Sequence, residues 1–538
     1  MDDGELLRLV DELDIAEEQV DSGDQLFAPS HRCNRRIYSD SESSEEESED
    51  EDDESDSDES LTNFREVYVD NDSQYNPRPL FSEISGPKHM PPNISKPIEY
   101  FDLFFTHQFL DMLRIETNRY AQQFFENIGP ANRSTTLTWK KTTIKELRAF
   151  IAVLLEMEIT RRPTFFSYWS RNHRYIPWFG QMFSRNRFQL LRKFFHTVDN
   201  STLPARDNNE YDPTAKFEPV VVAHTHRKFK FHYSPNQHLT VDELLVGTKS
   251  RSALTQYLPN KKHYKWGIKF WMLADAVSHY CLSFFCYRGA KDQRDQREIK
   301  EKGLAQVVVD KLLSMSNYIM KGYHVTFDNF FTSIALARSP YKKNTFLSGT
   351  KRSNRKHLPS QLKRKLEMGE YKYLRNREVL LLAYREKKSQ RKTVLLLSTH
   401  VTAANKTSLI RRRNQEMEVE KPALVHDYNK YMGGIDVSNM MVYSYLDERR
   451  TVKYWKKVVF SIFARVVLNA YILYPHNTEG KVMTRLEFIT TIIQSITTEW
   501  MAEKKYESRK FIESHIERFN SPRYPKTSWK EGKSLRRL

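Results

Sequence analysis

The spacing of apolar positions changes along this chain, and each change predicts a different kind of structure. Between residues 96 and 237 the spacing is helical. Leu147, Phe150, Ile151, Leu154 and Leu155 recur at one-turn intervals, Thr143 and Glu146 are placed to form a capping box before them, and Pro163 follows. Phe188, Leu191, Phe194 and Phe195 form a second apolar face, with Arg187, Arg192 and Lys193 on the other side. A third helix is expected from about Thr106 to Asn127, ending before Gly129-Pro130. The basic flanks are DNA-binding candidates only if the fold clusters them.

Near residue 238 the pattern becomes that of strands. HLTVDELLV, GIKFWMLADAV and HYCLSFFCYRG are short, rich in β-branched and aromatic residues, and spaced as a meander. GLAQVVVDKLL then reads as a helix and GYHVTFDNFF as a fourth strand. Three strands, a helix and a fourth strand form the opening order of a ribonuclease-H-like α/β fold, an order that other α/β folds share. Residues 351–422 are dense in Lys and Arg, with REVLLLAYRE and RKTVLLLSTH as a pair of strands among them. From Tyr428 onward the pattern is helical again, through KYWKKVVFSIFARVVLNAYILY, to a basic tail that reads either as a nuclear localisation signal or as solvated chain.

Charge divides the molecule in two. Residues 1–60 hold 24 acids and 4 Lys/Arg, a net of −20, while the other 478 residues hold 45 acids and 81 Lys/Arg, a net of +36. The stretch SESSEEESEDEDDESDSDES offers nothing apolar to bury and its like charges repel, so it is expected to be disordered and a substrate for an acid-directed kinase. Prolines at 77, 79, 87, 91, 92 and 97 extend the loose region, which places the start of folded structure near Lys96. A body so basic calls for a polyanion, most simply nucleic acid. The three cysteines, Cys33, Cys281 and Cys286, supply neither a disulfide framework nor a four-cysteine zinc site. The acidic N-terminus is no secretory signal, and no membrane-spanning run is expected, so the location should be cytosolic or, with DNA as partner, nuclear.

Three aspartates stand where such a fold could bring them together. Asp242 lies in the first strand, Asp328 ends the fourth, and Asp436 follows Gly433-Gly434 at a helix start. In a ribonuclease-H-like sheet the first and fourth strands are neighbours. Phosphodiester cleavage needs an activated oxygen nucleophile and stabilisation of the leaving oxygen, which two Mg²⁺ ions about 4 Å apart provide. Mg²⁺ prefers hard oxygen ligands, so carboxylates suit it and thiols or imidazoles do not.

From about Lys96 to about Tyr474 the chain resembles the piggyBac transposase family. PIEYFDLFF, ETNRYA, SYW, SRNRF and FFHTVDN come first. TVDELLVG, QYLPNKKHYKWGIKFWMLAD, TFDNFFTS, SGTKRSNRKHLP, LLLST, HDYNKYMGGIDVSN and RRTVKYWKK follow in the family's order. The resemblance implies a cut-and-paste DNA transposase. Its ribonuclease-H-like α/β catalytic core would be inserted in an all-α domain for dimerisation and DNA binding, behind a disordered acidic N-terminus at 1–95. The helical domain would comprise 96–237 and 446–538, the catalytic core 238–350 and 423–445, and a basic insertion 351–422. Asp242, Asp328 and Asp436 would bind two Mg²⁺ or Mn²⁺ ions. The partner would be double-stranded DNA, cut at transposon ends through hairpins and joined at TTAA, by a homodimer. Many members carry a fourth aspartate three residues after the third. Here that position is Asn439, whose carbonyl can touch a metal but brings no charge. No Cys follows Cys286, so the family's C-terminal zinc domain, and with it zinc, is not expected; the insertion also lacks the family's tryptophan–aspartate pattern. These gaps leave open a domesticated DNA-binding protein that no longer transposes.

Further DNA-contact candidates are Lys261, Lys262, Tyr264 and Lys265, around His263 and Trp266, where bases alternate with aromatics; a basic turn between strands explains them equally well. Arg352, Arg355 and Lys356 in KRSNRKHLP join the list. Trp455 reads either as facing DNA or as a core tryptophan. His324 and His426 flank the catalytic segments as structural residues, and Asp427, Tyr428 and Asn429 shape the approach to Asp436.

Overall fold

The computed structural model describes residues 63–72, 81–92, 95–127, 139–172, 174–259, 264–289, 296–341, 344–353, 358–362, 364, 366–385, 393–412, 415–445 and 453–520. The described part of the chain opens with a short strand, β1 (Arg65–Val67), and includes helices α1 (Pro97–Phe104), α2 (His107–Asn127), α3 (Ile144–Ile159), α4 (Arg185–Phe194) and α5 (Ala223–His232). Strands β2 (His238–Gly247), β3 (Thr255–Tyr257), β4 (Trp266–Asp275) and β5 (Cys281–Cys286) follow, then α6 (Leu304–Ser316) and β6 (His324–Phe327). Next come β7 (Phe346–Lys351), β8 (Tyr371–Asn376), β9 (Val379–Tyr384) and β10 (Val394–Ser398), and a hairpin of β11 (Asn405–Arg412) and β12 (Gln415–Pro422). Helices α7 (Ala423–Tyr431), α8 (Gly434–Ser444), α9 (Tyr454–His476) and α10 (Arg485–Asn520) complete the described chain.

One mixed sheet runs through the middle in the order β1-β8-β9-β10-β7-β6-β2-β4, with β3 and β5 both paired to β4. Its centre, β5-β4-β2-β6-β7, has antiparallel pairs on one side of β2 and parallel pairs on the other, the arrangement of a ribonuclease-H-like core. The two strands expected within 351–422 are β9 and β10, which pair antiparallel and extend this same sheet across β7.

The helices form around it because their apolar faces match. Thr143 caps α3 by accepting the Glu146 N–H at 3.1 Å. The other half of the expected capping box is absent: the Glu146 carboxylate takes the Arg187 guanidinium instead, at 2.6 Å. Arg187, Arg192 and Lys193 are thereby drawn into packing, with the Arg192 guanidinium over Phe165 and the Lys193 amine over Phe124, each at 4.2 Å. Helices from both ends of the chain share one core. Phe105 meets Phe463 edge-on at 5.1 Å, and the Trp500 indole donates to the Met182 carbonyl at 2.9 Å.

Two expectations are corrected here. Folded structure begins well before Lys96. β1 pairs antiparallel with β8, Phe64 and Val67 are buried, and Asp72 takes both ends of the Arg375 fork at 2.6 Å in a pair only 3% exposed on each side. Among the described residues one helix, α9, is apolar and long enough to cross a membrane by composition, but most of it is buried inside the fold as a core helix. Its polar residues explain that role. Lys456 caps the end of α4 through the carbonyls of Arg192 and Lys193, and Asn469 exchanges two hydrogen bonds with the backbone of Cys281 on the edge strand β5.

Candidate active site

Strand register places the first two aspartates. β2 and β6 run parallel, with Thr240 beside Thr326 and Val241 beside Phe327. Asp242 and Asp328 lie one step beyond, at the same level on neighbouring strands, and both are half-buried. Each carboxylate is oriented by the backbone: Asp242 accepts the Glu243 N–H at 2.7 Å and Asp328 the Phe330 N–H at 3.0 Å.

The third aspartate arrives on α8, and the double glycine explains how. A Cβ on Gly434 would stand 2.8 Å from the Thr240 methyl and 3.0 Å from the Ala276 Cα, so only glycine lets the helix start lie directly on β2. Thr240 and Asp242 are two residues apart on one strand and share a face. Asp436 follows two residues after Gly434 in the first turn of α8 and is exposed, while Gly434, Ile435 and Ser438 form the buried face of that helix. Among the described residues no three His, Cys, Asp or Glu side chains are gathered closely enough to hold one ion. The structure aligns the Asp242 and Asp328 carboxylates as a pair and leaves Asp436 exposed at the start of the helix packed on β2. Its donors are all hard oxygens, which fits Mg²⁺ or Mn²⁺, ions often bound through one or two carboxylates with waters and substrate phosphates completing the shell.

Tyr428 is a site residue that sequence reasoning placed only vaguely. Burial raises its phenol above the ordinary tyrosine range, and the nearby charges of Asp328 and Asp242 push the same way, against a hydrogen bond with Thr350 at 3.3 Å. It therefore stays a protonated donor beside both carboxylates. Its neighbour Asp427 is tied elsewhere. Burial alone would raise its carboxyl, but the Lys406 amine at 2.8 Å and His426 outweigh it and bring it below the usual carboxylate range.

The remaining candidates divide. Lys261, Lys262, Arg355 and Lys356 lie outside the described residues. Tyr264 lays its ring on Gly247 at the end of β2, where any Cβ would collide with it, while Lys265 and Trp266 face solvent. Arg352 braces the loop after Asp328, donating to Asn329 Oδ1 at 3.1 and 3.2 Å. Trp455 is a correction. It is 1% exposed, packed edge-on against His196 at 5.0 Å, and presents no face to DNA, because its position on α9 points into the helical core. His324 is buried, hydrogen-bonded to Ser348 at 2.7 Å and stacked on His400, which is a structural role. Asn439 keeps its side-chain oxygen on the Arg465 guanidinium at 2.7 Å.

Comparison with known proteins supplies the context. The family described as Transposase IS4 matches residues 96–471. The human PiggyBac transposable element-derived protein 3 is 24% identical over 429 residues, covering 76% of this chain and 67% of that protein. The human PiggyBac transposable element-derived protein 2 is 22% identical over 392 residues, covering 70% and 61%. This chain thus spans about two thirds of the length of those relatives. A cryo-EM structure of a piggyBac transposase synaptic complex with hairpin DNA superposes with a TM-score of 0.67 at 25% identity, covering 83% of this chain and 90% of that one.

Proposed function

Starting from a chain that belongs to the piggyBac-type transposase family, we propose that it binds double-stranded DNA and performs divalent-metal-dependent strand cleavage and transfer at transposon ends flanked by TTAA. The observation that carries this reading is the alignment of Asp242 and Asp328 on adjacent parallel strands with α8 pressed onto the same face. Asp242, Asp328 and Asp436 would hold two Mg²⁺ or Mn²⁺ ions, which activate the attacking oxygen and stabilise the leaving one. Tyr428 donates to a substrate phosphate oxygen beside them. Lys265 and Trp266, exposed at the start of β4, and Arg352, held on Asn329 beside Asp328, are read as contacts for the DNA backbone and bases. The working form in this reading is a homodimer, and its place of action is the nucleus.

The test uses the full chain, Mn²⁺ or Mg²⁺, and a duplex carrying its cognate ends. Metal-dependent nicks should form, and Ala at Asp242, Asp328 or Asp436 should abolish them. Nicking that survives all three substitutions refutes the assignment. A second reading, a domesticated DNA-binding protein, is favoured by Asn439, where many relatives place a carboxylate. Tight, end-specific binding without nicking under every metal condition would establish it in place of the first.

A further inference from the structure

Arg465 is an anomaly in the core. It lies in the middle of α9, is 1% exposed, and has no carboxylate partner among the described residues. Its fork is satisfied by neutral groups on α8: Nη1 donates to Ser438 Oγ at 3.1 Å and Nη2 to Asn439 Oδ1 at 2.7 Å. The other ionisable groups near it are the Cys281 thiol, held neutral because burial pushes it up to about 12, Tyr443, and the like-charged guanidinium of Arg485. A buried cation without a counterion is costly, so a fold that keeps one must hold it tightly through hydrogen bonds.

The two acceptors locate its purpose. Asp436 lies between two fixed points on α8. One is Gly434, pressed on Thr240 of β2, and the other is the Ser438–Asn439 pair, held by Arg465. Further along, the Tyr443 hydroxyl donates to the Leu245 carbonyl at 2.8 Å, tying the same helix to β2. The first contact sets the height of the helix start. The Arg465 fork, reaching one turn further from the neighbouring helix α9, sets its rotation and so the direction in which Asp436 points.

We propose that Arg465 is a positioning residue for Asp436, and that Asn439 serves this clamp as its acceptor and is not a metal ligand. The inference rests on the metal-site reading above, and it explains why an amide is tolerated at position 439. The oxygen there faces a guanidinium, so only an acceptor is required. A longer and more flexible amine in place of the planar fork would hold one acceptor and release the other.

Two measurements on the full chain test it. In metal-free protein, hydrogen exchange should accelerate within residues 434–444 in Arg465→Met and in Asn439→Ala, with α3 and α10 unchanged. In a Mn²⁺ titration followed by electron paramagnetic resonance, Arg465→Met should weaken binding about 10-fold, as loss of outer-shell support commonly does. Arg465→Lys should fall between Met and the wild type, and Asn439→Asp should change affinity by less than about 2-fold while raising Tm. Loss of packing alone would not reproduce that graded metal affinity at unaltered ligands. If Arg465→Met fails to fold, Asn439→Ala, which keeps the cation and removes one acceptor, carries both measurements. Unchanged exchange in α8 overturns the clamp. Mn²⁺ binding tightened 10-fold or more by Asn439→Asp overturns it too, because position 439 would then be a ligand. Faster exchange in α8 of the variants together with a wild type whose Mn²⁺ binding ignores Asp242→Ala would leave the clamp standing and defeat the metal-site reading instead.

Discussion

Two arginines, each almost wholly buried, are treated in opposite ways by this fold. Arg375 on β8 meets the Asp72 carboxylate with both ends of its fork, and Asp72 also accepts the Ala403 N–H at 2.6 Å. Arg465 on α9 meets only an amide and a hydroxyl. The first is a neutralised pair that fastens an outlying segment to the edge of the sheet. The second is an uncompensated charge directly behind the helix that brings in Asp436. The contrast shows that burial of a charge serves different ends. At the edge its strength comes from complementary charge, and near the candidate active site it is kept for geometry at a cost in stability.

Breaking the edge pair should have the largest effect. Asp72→Ala removes the carboxylate from a buried guanidinium, and should lower unfolding free energy by about 3–5 kcal/mol in urea titrations. Arg375→Met should fall in the same range, since it strands the carboxylate, and the double substitution should cost clearly less than the sum. Arg465→Met removes a buried charge that lies near a second guanidinium, Arg485, and leaves two neutral acceptors, so its cost should be smaller, about 1–3 kcal/mol. A cost equal to that of Arg375→Met would mean that Arg465 has a counterion after all, and the comparison would collapse. Asn439→Asp sharpens it from the other side by supplying the missing carboxylate, with an expected gain of about 1 kcal/mol. Deleting residues 1–60 should change stability least, within about 0.5 kcal/mol, because the Asp72–Arg375 pair stays in place. It should instead tighten non-specific DNA binding at low salt. The segment carries −20 against +36 on the rest of the chain and can compete with DNA for the basic surface. The gap between the two proteins should close as salt rises, and equal affinities at low salt would show that the segment does not compete.

The central strands were legible because each is a self-contained apolar run between turn signals, and the order of β2, β4, β5, α6 and β6 was enough to suggest the core. Asp242 and Asp328 could be paired once that order was read as a ribonuclease-H-like sheet, and Gly434 before Asp436 has a direct physical cause in its contact with Thr240. What could not be read were features that depend on distant partners. β1 is three residues, Arg-Glu-Val, in a polar stretch, and nothing local shows that its partner lies in β8. Trp455, Lys456 and Arg465 look like an ordinary mixture of aromatic and basic residues on a helix. A signal was nevertheless present. α9 is apolar all the way round, which is the pattern of a helix buried on every side, and its charged residues had therefore to be internal. The basic flank of α4 misled in the same way, since Arg187 and Lys193 turn into the packing.

The pairing of β1 with β8 also has a consequence in time. Asp72 and Arg375 are 303 positions apart, and the sheet edge that receives β1 is not made until long after β1 has left the ribosome. At a synthesis rate of about 5–20 residues per second, the wait is roughly 15–60 s. During that interval the nascent chain carries an unpaired strand and a carboxylate whose final neighbour does not yet exist, next to an acidic leader that keeps it in water. Closure of this edge is therefore a late event of biogenesis, completed only after the chain has been translated past Asn376.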